Sequence, residues 1–134
     1  MNPEAVGRTP TRVWVGRILS AIPAFFMLLS GTMKLIHPTS VVAAFTTQFG
    51  YPESAIVPIG LIEIACVIIY LIPRTAVLGA ILVSSYLGGA VATHFRIQDP
   101  TGIAPFILGI LAWGGLYFRD ARLTHLLPFR KTET

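Results

Sequence analysis

Apolar residues run through this chain in four long blocks separated by short polar breaks. The first extends from about Val13 to His37, and Ile18 to Met33 within it carry no charge. The second, about Ala55 to Ile72, is interrupted only by Glu63; the third runs from Thr75 to about Phe95; the fourth spans about Ile103 to Phe118. Blocks of this length suit a hydrocarbon core about 30 Å thick. Pro58 and Pro105 fall in first turns, where a missing N–H does no harm. Pro73-Arg74 is a minimal connector, so the second and third helices form a tight antiparallel hairpin, and Arg96 to Gly102 is a polar loop. After His37-Pro38-Thr39-Ser40 ends the first helix, Val41, Val42, Phe45 and Phe49 recur at helical spacing. Ser40 suits an N-cap and Gly50 a C-terminal stop. That segment, about residues 40–49, is too short to span and belongs in the interface. The pattern predicts an all-α fold: one membrane domain over residues 1–134, a four-transmembrane-helix bundle with a short interfacial helix between the first and second spans.

Composition supports that reading. Of 134 residues, 54% are hydrophobic and only 12% charged, against roughly 25% charged in soluble domains. Mean hydropathy is +0.72. The net charge of +4 comes mostly from the flanks: Arg8, Arg12 and Arg17 precede the first block, and Arg119, Arg122, Arg130 and Lys131 follow the last. Such charges gather on the cytoplasmic side and meet anionic headgroups there. With both termini inside, only Lys34 and Arg96 remain outside, so the expectation is a multi-pass protein with cytoplasmic N- and C-termini. No basic segment is interleaved with aromatics, which argues against a nucleic-acid partner. Leu29-Ser30-Gly31-Thr32 offers a signal-cleavage site, but apolar character continues through Lys34-Leu35-Ile36, so an uncleaved first helix is expected. The single cysteine, Cys66, excludes an intramolecular disulfide and a CxxC pair.

The topology then gathers the ionisable residues. Lys34 lies near the outer end of the first helix, and His94 and Arg96 near the outer end of the third. Glu63 sits about 12 Å below the outer edge at ~1.5 Å per residue. Ionisable side chains inside a span turn towards a partner or a wet cavity. A lone carboxyl there is neutral, whereas one beside a cation stays charged. Glu63 is therefore expected to face the interior, within reach of Lys34 or the His94/Arg96 end. It shares a face with Gly60, Cys66 or Val67, and Tyr70, and Lys34 shares one with Ser20, Met27, Ser30 and Gly31. Each residue also has a packing reading: Glu63 as an inter-helix lock, Lys34 as a snorkelling lysine, His94 as a solvated interface histidine. Catalytic candidates are Glu63, Lys34 and His94; ligand-contacting candidates are Arg96, Tyr70, Tyr86 and Gln48. No histidine spacing suggests a metal site. Gly79, Gly88, Gly89, Ala90, Ser84 and Ser85 give the third helix a small-residue surface, expected to let helices approach closely. Pro23 should kink the first helix.

Gly31-Thr32-Met33-Lys34-Leu35, Gly60-Leu61-Ile62-Glu63, Leu71-Ile72-Pro73-Arg74 with Leu78-Gly79-Ala80, and Gly88-Gly89-Ala90-Val91-Ala92-Thr93-His94-Phe95-Arg96 together resemble the DoxX-like family of small membrane proteins. Arg119-Asp120 with Leu127-Pro128 extends the likeness, which covers roughly residues 14–128. The resemblance implies a four-helix bundle. It also implies roles seen in some relatives: subunits of a thiosulfate:quinone oxidoreductase, associates of redox partners, or accessory and chaperone-like proteins. This sequence carries no Gly-rich dinucleotide loop, cysteine pair or haem motif, so electrons would travel on a partner protein or a bound quinone. The first expectation is a redox-linked accessory subunit holding a quinone or another lipophilic small molecule in the outer half of the bundle. Beside it stand a membrane-embedded isomerase or hydrolase with Glu63 as general acid or base, and a purely structural or assembly protein. Whether the chain is an enzyme is left open. The small-residue faces suit a homo-oligomer as well as packing within one bundle.

Overall fold

A computed structural model describes residues 9–127. Arg8, Pro128, Arg130 and Lys131 lie outside the described residues. Helix α1 (Pro10–Ile36) starts ahead of the apolar block, because Thr9 caps it and Pro10 supplies a preset first turn. Thr9 Oγ1 accepts the Arg12 N–H at 3.4 Å. The helix runs on through Pro23 and stops at His37, which takes a left-handed conformation (φ 64°) ahead of Pro38. A short helix α2 (Thr39–Ala43) continues into one π-helical turn (Ala44–Gln48), and Gly50 at φ 71° then reverses the chain. This is the interfacial segment, and none of its residues is buried.

Helices α3 (Ile56–Leu71) and α4 (Ala76–Arg96) form the hairpin around a single turn at Pro73–Thr75. Thr75 Oγ1 clasps it by donating to the Ile69 carbonyl at 2.8 Å. Helix α5 (Ile103–Arg119) follows a turn capped by Asp99. The four long helices are each apolar and long enough to cross a membrane. They form a ring in which α1 and α4 each pack against α3 and α5. Met27, Val67, Tyr70, Ala80, Val83, Ala112 and Leu116 fill the centre, while Ile18, Phe25, Leu61, Ile62, Ile81 and Ile110 are exposed on the outside. An apolar exterior around a mixed interior is the arrangement a bilayer stabilises.

Glycines set the closest approaches. A Cβ on Gly16 of α1 would lie 2.8 Å from the Gly115 carbonyl of α5, and one on Gly60 of α3 would lie 3.0 Å from the Gly31 carbonyl of α1. Gly79 lies directly against the Tyr70 and Ile69 backbone across the hairpin. The packing role expected for the small face of α4 holds at Gly79 but not at Gly88 or Gly89, whose missing side chains would meet nothing within 4 Å. Those two glycines border open space instead.

Candidate functional site

Two helix faces converge at the end of the bundle that carries Lys34. Ser30 and Lys34 stand one turn apart on α1, as Gly60 and Glu63 do on α3. The Gly31–Gly60 approach brings these turns together, and a side chain at Gly60 would run into the Lys34 Cβ. Lys34 Nζ thus reaches Glu63 Oε2 at 2.7 Å, with side-chain exposures of 9% and 3%. The Ser30 hydroxyl lies between them, 2.5 Å from Lys34 Nζ and 3.3 Å from Glu63 Oε2. The ammonium also contacts the Ser30 carbonyl at 3.5 Å, so each of its three donors has an acceptor. Two opposite charges joined through a hydroxyl form a satisfied network in a medium of low dielectric.

Beside this network lies a cleft of about 610 Å³. Phe26, Met27, Ile59, Leu87 and Leu108 supply apolar wall, and Ser30, Lys34, Glu63, Tyr86, Thr93 and His94 supply the polar groups. Phe26 of α1 and Ala104 of α5 are exposed on its rim. Tyr86, on α4, lines the same space as Glu63. His94 Nδ1 lies 2.7 Å from the Ala90 carbonyl. A carbonyl only accepts, so Nδ1 is the donor in this contact. Asp99, in the following loop, lies 3.9 Å from Nε2. Its carboxyl titrates below the ordinary range, first because the Thr101 N–H and hydroxyl bond it and then because His94 is near.

The interfacial segment folds over the mouth of the cleft. Phe45 sits over the Lys34 ammonium, 5.7 Å from ring centroid to Nζ, and packs edge-on with Phe49. Phe49 in turn meets the His94 ring at 5.1 Å. Tyr51 Oη and Thr93 Oγ1 share a hydrogen bond of 2.9 Å, and the Arg96 guanidinium donates to the Phe49 carbonyl.

The structure brings Glu63, Lys34, Tyr86 and His94 to one cleft. Arg96 is exposed and holds the chain above the cleft rather than lining it. Gln48 is exposed and outside the cleft. Tyr70 stands at the other end of α3, where its hydroxyl donates within 2.9 Å of Ser20 Oγ and 2.7 Å of the Ala112 carbonyl. Ser30, Phe45, Phe49, Tyr51 and Thr93 join the site without having been singled out as site residues. The spacing of Ser30 to Lys34 was a usable signal for the first, whereas the contact of Tyr51 with Thr93 has no local signature. Among the described residues, no three His, Cys, Asp or Glu side chains are grouped to hold a metal ion.

The sequence profile of the DoxX-like family matches residues 18–115. No curated protein and no solved structure matches the chain.

Proposed function

The chain belongs to the DoxX-like family, and from that premise we propose that it is a redox-linked accessory subunit that binds a quinone, or a lipophilic molecule of similar shape, in the cleft at its Lys34 end. The observation that carries this reading is the Glu63–Lys34–Ser30 network set in the wall of an otherwise apolar cleft of about 610 Å³. A quinone head needs a flat apolar slot and a donor at each carbonyl. Aromatic and aliphatic side chains supply the slot, the Tyr86 hydroxyl is a donor at its edge, and the Lys34 ammonium would exchange its 3.5 Å contact with the Ser30 carbonyl for a quinone oxygen. A bound quinone would supply the electron-carrying chemistry; the residues of this chain bind the head, orient it and exclude water. Five described cations, Arg12, Arg17, Arg74, Arg119 and Arg122, lie at the opposite end of the helices. That asymmetry supports cytoplasmic termini and a cleft in the outer half.

A second reading has its own support. Ser30 links Lys34 and Glu63 within hydrogen-bond distance, a proton path that a lipophilic substrate would meet as general acid and base. Titration of the purified protein with a short-tailed quinone analogue tests the first reading. Saturable binding that Lys34→Met abolishes is the expected result. Absence of saturable binding overturns it, and turnover of a lipophilic ester or enone lost in Glu63→Gln would favour the second.

A further inference from the structure

At the Arg119 end, a smaller pocket of about 250 Å³ lies between Val13 and Arg17 of α1, the α3–α4 turn and the end of α5. Three guanidinium groups line it, Arg17, Arg119 and Arg122, against the single carboxylate of Asp120. Each has a partner, and Arg17 and Arg122 are also exposed to solvent. Arg119 lies 4.8 Å from the Tyr70 ring centroid and donates through Nη2 to the Tyr70 carbonyl at 3.0 Å. Arg122 donates to Asp120 through Nε at 3.3 Å and Nη2 at 3.4 Å, and Arg17 lies 5.2 Å from the Trp14 ring centroid. Asp120 is buried and already accepts from Arg122 three times, through the backbone N–H, Nε and Nη2, so its charge is committed to one of the three. The other two guanidiniums leave an excess of positive charge around the pocket. Arg119 Nε is buried without an acceptor among the described residues.

Depth indicates what would meet these groups. Arg119 is the last residue of α5, the turn begins at Pro73, and Trp14, Tyr117 and Phe118 surround the same level. Tryptophan and tyrosine collect where headgroups begin. The surface of α1 that runs from here into the membrane, with Ile18, Ile22 and Phe25, is exposed and apolar. A planar guanidinium fork matches the oxygens of a phosphate. We propose that this pocket binds the phosphate of an anionic phospholipid headgroup, with the acyl chains lying along the apolar exterior. The site is separate from the cleft at the Lys34 end and does not depend on what binds there.

The test uses the full chain in vesicles of phosphatidylcholine containing a graded fraction of phosphatidylglycerol, with the lipid retained after extraction counted by native mass spectrometry. Retention of phosphatidylglycerol above its share of the bilayer is expected. Arg17→Gln and Arg122→Gln should each lower it about fivefold, and the pair about twenty-five-fold, at the ~1 kcal/mol that one basic residue contributes near an anionic surface. Arg74 lies at the same end but does not line the pocket, so Arg74→Gln should lower retention less than either of these variants. Val13→Phe narrows the pocket with every charge in place and should also lower retention. Thermal unfolding of each variant in pure phosphatidylcholine separates loss of the site from loss of the fold, and Arg17→Gln, which leaves the Arg122–Asp120 pair intact, is expected to unfold as the parent does. Equal losses in Arg74→Gln and Arg17→Gln, or full retention in Val13→Phe, would overturn the site. Displacement of the lipid by millimolar glycerol 3-phosphate would overturn the lipid assignment in favour of a free phosphate.

Discussion

The two ends of the bundle bury polar groups in opposite ways. At the Arg119 end, Tyr70 has every partner it needs: its hydroxyl bonds Ser20 and Ala112, its carbonyl accepts from Arg119, and Gly79 lies against its backbone. Gly16 and Gly115 clamp α1 to α5 at the same level. At the Lys34 end the polar network is just as complete, but a cleft of about 610 Å³ lies beside it, and Gly89 faces that space. The first arrangement is a lock. The second is a lock with a keyhole, because its groups border space that a small molecule can enter. Polarity inside a span is therefore a weak guide to function by itself: Lys34 and Glu63 line a cleft, whereas the smaller pocket at the other end reaches Arg119 and not Tyr70.

The largest expected effect tests whether the Lys34 network serves only packing. Lys34→Met leaves the Glu63 carboxylate buried without its cation and should destabilise the protein by about 3–5 kcal/mol, read from thermal unfolding in detergent. Replacing both residues, Lys34→Met with Glu63→Leu, should recover most of that loss, since an apolar pair of similar volume removes both desolvation penalties. The double variant should nevertheless fail to bind the quinone analogue. If it binds as the parent does, the network is a packing device like the one around Tyr70.

Glycine substitutions come next. Gly79→Ala sets a methyl against backbone that cannot swing away and should destabilise by about 1–3 kcal/mol or more. Gly88→Ala meets open space and should change stability by less than ~0.5 kcal/mol, the usual range for a substitution that touches nothing. Equal losses at the two positions would erase the contrast between the packed and the open parts of α4.

Much of this arrangement is legible in the sequence, for reasons that differ by residue. The four spans follow from apolar length alone. The meeting of Lys34 with Glu63 follows from depth, because a fixed rise per residue converts position in a helix into height in the membrane. Helical spacing puts Tyr70 on the Glu63 face and made it a ligand-contacting candidate, yet its hydroxyl meets partners 50 and 42 residues away, and no periodicity announces them. Gly79 and Gly88 look alike as letters, yet one touches backbone and the other touches nothing. A small residue permits close approach without enforcing it. The fold of the interfacial segment over the cleft was equally hidden. Phe45 and Phe49 predict an amphipathic turn, whereas the side it covers depends on Gly50, Tyr51 and the reach of Arg96.

Tyr70→Phe sharpens the comparison from the locked side. It removes one hydroxyl that has two hydrogen-bond partners, and hydrogen bonds between membrane helices contribute about 0.6–1.7 kcal/mol. A loss of about 1 kcal/mol in unfolding is expected, with binding of the quinone analogue unchanged. A variant that unfolds normally but binds weakly would extend the functional site down α3 to the Arg119 end.

The smallest effect belongs to the rim of the cleft and is read through pH. Asp99 accepts from the Thr101 N–H at 2.9 Å and from its hydroxyl at 2.8 Å, and those bonds, with His94 nearby, hold its carboxyl below the ordinary value of 3.8. A carboxyl whose value is lowered in the folded state releases its proton more readily there than in the unfolded chain. Its contribution is therefore fully present above 3.8 and fades as the pH falls through the lower folded value. The melting temperatures of the parent and of Asp99→Ala should differ slightly and constantly from pH 7 down to about 5, and the two curves should converge in strong acid. The effect is small because the carboxylate is open to water, which competes for the same bonds. A gap that persists unchanged to pH 2 would mean that Asp99 acts through backbone shape, not charge. A gap that closes as the pH rises past the ordinary histidine range, about 6.5, would shift the responsibility to attraction between Asp99 and a protonated His94 and tie the loop to the chemistry of the cleft.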